Sequence, residues 1–263
     1  MRAILFSLSC LLFCGFTAQA QNQVSAESII AQLNAGESIN LENTTITGML
    51  DFTAVDDQRP DRNSDYGGDD NVRSTVRQAI RFSNCRFEGR VLGYVHIDKR
   101  TGAPVSGGNN WTNNNRTFLR NADFQEAVAF ENCTFEEEVN FKYTTFVSAA
   151  TFEGSEFEEE TGFKYTEFNR AASFIGVIFG DEATFKYTEF EDATSFAGAL
   201  FEGDATFKYT EFNGDTDLSR VVFRDEAIFK YVDFPSNTNM DGTDWGPKAD
   251  FKYAKLGNRD FRG

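Results

Sequence analysis

Phenylalanine recurs at short, nearly fixed intervals through the second half of the chain. The steps alternate between five and six residues, and the positions are 130, 135, 141, 146, 152, 157, 163, 168, 174, 179, 185, 190, 196, 201, 207 and 212. A small residue often lies two positions earlier, as Ala172 does before Phe174 and Ala183 before Phe185. An amphipathic helix would need apolar residues three and four apart, so this pattern predicts short strands.

A longer repeat is superimposed on these steps. Phe-Lys-Tyr-Thr-Glu-Phe occurs at residues 163–168, 185–190 and 207–212, so the motif returns every 22 residues. Four sides of five, six, five and six residues account for that length. The pattern therefore predicts a solenoid of four-sided coils stacked about 4.8 Å apart, with large and small side chains alternating inside the shaft.

These motifs resemble the pentapeptide-repeat family, whose units read Ala-(Asp/Asn)-(Leu/Phe)-x-x. The resemblance covers residues 118–261 and departs from a strict five-residue unit by one extra residue on alternate sides, as in a phenylalanine-rich branch of the family. It implies an all-β fold, a right-handed quadrilateral parallel β-helix. It implies little about activity, because function is not fixed by fold.

The two ends of the chain differ from the repeat. Residues 1–20 carry Arg2, an apolar run and small residues before Gln21, which predicts a signal peptide and export to the periplasm or the medium. Residues 21–40 are expected to form a cap, with a short helix over residues 25–34 that covers the end of the shaft. Residues 41–263 are assigned to the β-helix, in which Met240 and Trp245 take phenylalanine positions. No later stretch is long and apolar enough to span a membrane.

Two insertions interrupt the period, at about residues 53–75 and 93–117. The second contains residues 94–97 and 103–105 around Asp-Lys-Arg-Thr-Gly, which predicts a small hairpin followed by a polar loop. Counting coils backwards places Phe82 and Phe87 one coil before Phe130 and Phe135. Both insertions are then expected to emerge near one another at the N-terminal end.

The first insertion contains a candidate calcium site. Asp61, Asn63, Asp65 and Asp69 supply oxygen ligands at close spacing. The run departs from the EF-hand calcium loop, since Tyr66 occupies the usual glycine position and no glutamate follows at the required distance. A solvated polar loop is the alternative interpretation, and no other cofactor is expected.

Cys85 and Cys133 each lie two residues before a phenylalanine, in the column of small inward residues. If the coil count holds, they are neighbours on adjacent coils, about 4.8 Å apart. That distance suits a disulfide in an exported protein. Two buried free thiols that fill space are the alternative.

Composition excludes several functions. The chain has a formal net charge of −16, so nucleic acid is a poor partner. His96 is its single histidine, and phosphate loops, dinucleotide fingerprints and nucleophile elbows are missing. We therefore expect a protein that is not an enzyme.

A column of lysines at 142, 164, 186, 208, 230 and 252 is expected to interleave with the glutamates at 167, 189 and 211.

One side of the coil carries apolar residues at outward positions, Ile175, Ile178, Leu200 and Val222. Such a patch on an acidic solenoid indicates contact with a partner or with a second copy in a homodimer. The sequence thus favours an exported structural or interaction scaffold whose partner is a protein or an extracellular polymer. One alternative is a DNA-mimicking inhibitor, which acidic pentapeptide-repeat proteins suggest and the signal peptide argues against; another is a β-helix that binds or acts on polysaccharide.

Overall fold

A computed structural model of the protein describes residues 22–61, 70–105 and 117–263, and in these ranges the chain winds into a parallel β-helix with four faces. Each face is one sheet whose successive strands come from successive coils. Hydrogen-bonded neighbours in the regular part are 22 residues apart, as in the bond from the Cys133 amide to the Ser155 hydroxyl. The predicted β-helix of four-sided coils is confirmed.

Faces 1 and 2 follow one another in each coil. The strands of face 1 are Ile39–Glu42, Ile80–Ser83, Val128–Glu131, Ala150–Thr151, Ala172–Ser173, Thr194–Ser195 and Thr216–Asp217. The strands of face 2 are Asn22–Ser25, Thr44–Thr47, Arg86–Phe87, Thr134–Phe135, Glu156–Phe157, Ile178–Phe179, Leu200–Phe201 and Val222–Phe223.

Faces 3 and 4 complete the coil. The strands of face 3 are Leu50–Asp51, Val91–Leu92, Val139–Asn140, Thr161–Gly162, Ala183–Thr184, Ala205–Thr206, Glu226–Ile228 and Lys248–Asp250. The strands of face 4 are Gln58–Pro60, Val72–Val76, Tyr94–Asp98, Pro104–Val105, Thr117–Phe124, Thr145–Phe146, Glu167–Phe168, Glu189–Phe190, Glu211–Phe212, Asp233–Phe234, Lys255–Leu256 and Arg259–Asp260. A short 3-10 helix, Phe52–Ala54, follows the first strand of face 3.

Stacked phenylalanine rings fill the shaft. The Phe185 ring lies parallel to those of Phe163 and Phe207, with centroids 5.1 and 4.8 Å apart, and meets Phe174 edge-on at 5.4 Å. The ring is fully buried, and so is the small residue Ala183 two positions earlier. Burying one such ring stabilises the fold by about 1.5–3 kcal/mol, so the phenylalanine columns are the main source of stability.

Polar residues in the shaft have hydrogen-bond partners. Thr166, Thr188 and Thr210 are buried, and their hydroxyls donate to the carbonyls of Phe141, Phe163 and Phe185 at 2.6–2.7 Å. Each bond joins two coils, so these threonines fill the small inward position without leaving a buried polar group unpaired.

A helix lies over the first coil. It spans Ala26–Asn34, and the Ser25 hydroxyl caps it by accepting a hydrogen bond from the Ser28 amide. Its apolar side chains Ile29 and Leu33 are buried in the same core as the phenylalanines. The helix expected over residues 25–34 is therefore present and covers apolar surface at this end.

The last coil lies under a C-terminal turn. Trp245 stacks on Phe223 with ring centroids 5.8 Å apart, which confirms that it occupies a phenylalanine position. The strand Arg259–Asp260 reverses direction and pairs antiparallel with Lys255–Leu256. This reversal brings the Phe261 ring within 5.0 Å of the Phe251 ring.

Both insertions leave the coil between faces 3 and 4. In the first, Gln58–Pro60 pairs antiparallel with Val72–Val76; in the second, Tyr94–Asp98 pairs antiparallel with both Pro104–Val105 and Thr117–Phe124. The predicted hairpin is thus confirmed. Gly93 marks the second departure, because a Cβ there would lie 2.7 Å from the Phe141 ring.

Candidate interaction surfaces

The predicted apolar patch lies on face 2 and the corner before it. Ile178 pairs with Leu200, and Leu200 with Val222, in parallel register, so the three side chains form one column. Ile175 lies at the preceding corner and is 42% exposed. In the same column the preceding residue is Glu156 and the following one is Asp244. The patch therefore covers three coils and has a carboxylate at each end.

A second feature, which the sequence did not reveal, is the backbone conformation at the corners. The corners between faces 1 and 2 have positive φ, and the residues there are Asn43, Asn84, Asn132, Gly154, Gly176, Gly198, Arg220 and Gly242. Glycine and asparagine are the residues that tolerate this left-handed region best. The corners between faces 3 and 4 have the same conformation but carry tyrosine, at 143, 165, 187, 209, 231 and 253.

The six tyrosines form a continuous stack, here called the tyrosine ladder. Successive ring centroids lie 4.7–5.0 Å apart, and the Tyr94 ring from the second insertion contacts the end of the stack, 5.5 Å from the Tyr143 ring and tilted by 58°. Tyr231 and Tyr253 are 43% and 59% exposed. Aromatic pairs contribute about 0.5–1.5 kcal/mol each beyond burial, which offsets part of the backbone strain.

A lysine precedes each tyrosine of the ladder in the chain. The ammonium groups of Lys142, Lys164, Lys186, Lys208 and Lys252 lie 4.9–5.2 Å from the centroid of the next residue's ring. The expected interleaving with glutamates at 167, 189 and 211 is wrong: no ion pair among the described residues joins the two columns. The cation–π contact holds the lysine against its own tyrosine instead.

The ladder begins at a small titratable cluster. Lys142 lies 4.9 Å from the ring centroids of both Tyr94 and Tyr143, and burial, with Lys164 nearby, lowers its pKa to about 8. The Tyr94 hydroxyl is 2.7 Å from His96 Nε2. Burial and the Lys142 charge lower the pKa of His96, which favours the neutral ring. In the tautomer with its proton on Nδ1, this ring accepts a hydrogen bond from the Tyr94 hydroxyl through Nε2. This bond fixes the Tyr94 ring beside Lys142.

The calcium hypothesis is only partly within the described structure. Asn63, Asp65 and Asp69 lie outside the described residues. The Asp61 carboxylate is 3.4 Å from the Arg73 guanidinium, which also bonds the buried Asp123 carboxylate at 2.6 Å. No group of three or more potential metal ligands is found in the described part of the chain. Calcium binding stays a prediction.

The two cysteines are neighbours on adjacent coils. Thr134 pairs with Arg86 in parallel register, and the Thr134 amide donates to the Cys85 carbonyl at 2.9 Å, which places Cys133 beside Cys85. Both are buried free thiols in the structure. A hydrogen bond from Cys133 lowers the pKa of Cys85 to about 7, and the same bond, with burial, raises the pKa of Cys133. The expected adjacency is confirmed.

Comparison with known proteins identifies the repeat. A family model described as pentapeptide repeats (9 copies) matches residues 119–167 and again 163–211. No curated protein and no solved structure matches the chain significantly. In the described residues, no helix is long and apolar enough to cross a membrane.

Proposed function

We propose, on the premise that this chain is a pentapeptide-repeat protein, that it is an exported, non-enzymatic scaffold that holds a partner against an outer face of its solenoid. Residues 1–20 are its proposed signal peptide and lie outside the described structure. The partner is a protein or an extracellular polymer rather than nucleic acid, because the chain has a formal net charge of −16.

The observation that carries this proposal is the apolar column Ile178, Leu200 and Val222 on face 2. Ile178, Leu200 and Val222 are half-buried, and Ile175 beside them is exposed. Single apolar residues at a surface are ordinary, whereas three in register on a strongly acidic protein form a surface that water solvates poorly. The column covers only three coils, about 10 Å along the axis, so it supports a local contact rather than a large obligate interface.

A role without catalysis is supported by how the coils present their side chains. Outward residues form flat ladders, in which like residues repeat along the axis instead of converging on one point. A shallow groove of about 660 Å³ runs along face 1, and its lining is mainly alanine, serine and threonine, with Ala150, Ala172 and Thr194 among its residues. Such side chains offer contact but little acid–base chemistry.

Capture of a partner by the purified protein tests the proposal. Leu200→Glu places a charge in the middle of the apolar column, while Ser195→Glu places the same charge on face 1. We expect the wild type and Ser195→Glu to capture the same species from the envelope or the medium, and Leu200→Glu to lose it. Equal capture by all three proteins would contradict a contact at face 2.

Cell fractionation tests the export. We expect the chain outside the cytoplasm with Gln21 at its N-terminus. Retention of the uncleaved chain in the cytoplasm would contradict export and would favour the DNA-mimicking inhibitor instead.

The tyrosine ladder favours a second candidate, the binding of a repetitive extracellular polysaccharide. Six tyrosines have the left-handed backbone conformation. At the opposite corners, seven of the eight residues with this conformation are glycine or asparagine. Native gel electrophoresis in the presence of neutral and acidic polysaccharides tests this candidate. Retardation of the wild type, reduced by Tyr187→Asn with Tyr209→Asn, would support it; equal mobility of both proteins would contradict it.

A further inference from the structure

Face 3 carries two columns of opposite charge with a column of mostly small residues between them. Side chains alternate along a strand, so the residue before each short strand points outward together with the second residue of that strand. The lysine two residues further on lies in the turn at the corner with face 4, where its ammonium group contacts the next tyrosine ring. In three central coils the acidic column is Glu160, Glu182 and Asp204, the central column is Gly162, Thr184 and Thr206, and the basic column is Lys164, Lys186 and Lys208.

Within one molecule the neighbours along each column are like charges, and one opposite charge, Lys248, lies near Asp204 at the end of the acidic column. No ion pair of the described residues involves any of the six charged side chains. Burial and its neighbours Glu182 and Glu138 raise the pKa of Glu160, and burial and Lys186 lower the pKa of Lys164. Both shifts disfavour the charged form of these two side chains, chiefly because the side chains are partly buried, and an opposite charge placed against either one would favour its charged form.

The ligand that would relieve both columns must present charges with the same spacing. Coils repeat about every 4.8 Å, whereas same-side residues of a single extended peptide repeat about every 6.7 Å. A second stacked β-structure has the required spacing, and the acidic and basic columns of face 3 supply the required charges. The partner that fits is therefore a second copy of this chain.

We propose that two copies associate through face 3 about a two-fold axis that runs along the central column, parallel to the solenoid axis. This rotation places the acidic column of one copy on the basic column of the other, at both edges of the contact and with the same spacing. A two-fold axis across the coils would instead place acid on acid. The small side chains of Gly162, Thr184 and Thr206 let the two faces approach.

The contact is small. Three residues lie between the two charged columns, so the columns are at most about 13 Å apart, and three coils extend about 10 Å. Exposed ion pairs contribute little to affinity, so the dimer is a weak, reversible one that forms at high local concentration. Face 3 does not include the apolar column of face 2, so this dimer goes beyond the proposed function and can fail without affecting it.

Charge exchange on face 3 tests the dimer. The acidic variant carries Lys164→Glu, Lys186→Glu and Lys208→Glu; the basic variant carries Glu160→Lys, Glu182→Lys and Asp204→Lys. Analytical ultracentrifugation over a range of concentrations is expected to show a wild-type monomer–dimer equilibrium. Each variant alone is expected to dimerise at least tenfold more weakly, and an equimolar mixture of the two is expected to restore the dimer. Restoration also shows that both variants are folded.

The basic variant distinguishes specific pairing of face 3 from the overall repulsion between two negatively charged molecules. It has a smaller net negative charge than the wild type, so general repulsion predicts stronger association, whereas the face 3 dimer predicts weaker association. A control with Glu167→Lys, Glu189→Lys and Glu211→Lys alters face 4 and is expected to keep the dimer. The proposal is overturned if the basic variant associates more tightly than the wild type, if the mixture stays monomeric, or if a monomeric wild type binds polygalacturonate through these lysines.

Discussion

Tyr187 and Gly198 have the same left-handed backbone conformation, with φ of 59° and 68°, at two opposite corners of the solenoid. The two corners differ in the side chain alone: one bears an aromatic ring that stacks on its neighbours, and the other bears none. Left-handed backbone costs a residue with a side chain about 1–2 kcal/mol relative to glycine. The tyrosine ladder is therefore present against the preference of the backbone.

Exchange of these two residue types tests that balance. Tyr187→Gly removes two stacking contacts and relieves the backbone, so we expect its free energy of unfolding to change by less than about 1 kcal/mol. Gly198→Tyr adds strain without a stacked partner and should cost about 1–2 kcal/mol. Urea denaturation measures both. A loss of more than about 3 kcal/mol for Tyr187→Gly would mean that the ladder is a structural core.

Two adjacent residues, Phe185 and Lys186, distinguish the inside of a coil from its outside. Phe185 is fully buried in its stack, so Phe185→Ala should lower the free energy of unfolding by about 3–5 kcal/mol. Lys186 is only partly buried, and Lys186→Ala should change it by less than about 0.5 kcal/mol. Thermal or urea denaturation decides, and equal shifts for the two variants would contradict the assignment of the shaft.

The paired thiols should react as a unit. Since a hydrogen bond from Cys133 lowers the pKa of Cys85 to about 7, the rate of oxidation by hydrogen peroxide should rise through about pH 7. Cys133→Ala removes the donor and should move that midpoint up towards about 8.5, the value for a free thiol. After peroxide treatment, mass spectrometry of a non-reducing digest should find the two thiols oxidised to a disulfide. An unchanged midpoint in Cys133→Ala would show that the hydrogen bond does not set the reactivity.

Lys142 should make stability depend on pH above neutrality. Burial lowers its pKa to about 8, below its value in the unfolded chain, so the folded state disfavours the charged form. The penalty is complete below about pH 8 and is relieved as the pH rises towards about 10.4, where the unfolded lysine titrates. Lys142→Met should therefore raise the free energy of unfolding at pH 7 and flatten its increase between pH 8 and 10. The same pH dependence in both proteins would contradict a desolvated lysine here.

Much of the shaft could be predicted from spacing. The steps between Phe163, Phe185 and Phe207 equal one coil, and these rings indeed stack. The coil count across the insertions also placed Cys85 beside Cys133, because the period continues on both sides of an insertion even when the chain leaves the coil. A strict period constrains every inward side chain at once, and for this reason the packing of the shaft could be predicted from the sequence.

The outer surface was less predictable, since several arrangements satisfy the same spacing. Charge alone favoured lysine–glutamate pairing, yet Lys164 and Lys186 lie over their neighbouring tyrosine rings. That contact depends on the left-handed corners, and a tyrosine is not a residue from which such a corner is inferred. The ion pair between Asp61 and Arg73 could not be predicted from the sequence either, because the strand pairing of the first insertion brings the two residues together.

Photocrosslinking in living cells tests the central claim, a partner held on face 2, most directly. A photoreactive phenylalanine analogue replaces Leu200 in one variant and Ser195, on face 1, in the other. We predict that the Leu200 variant forms a covalent adduct with one discrete species outside the cytoplasm and that the Ser195 variant does not. Adducts of equal yield from both positions, or none from Leu200 in a folded and exported protein, would contradict the scaffold described above.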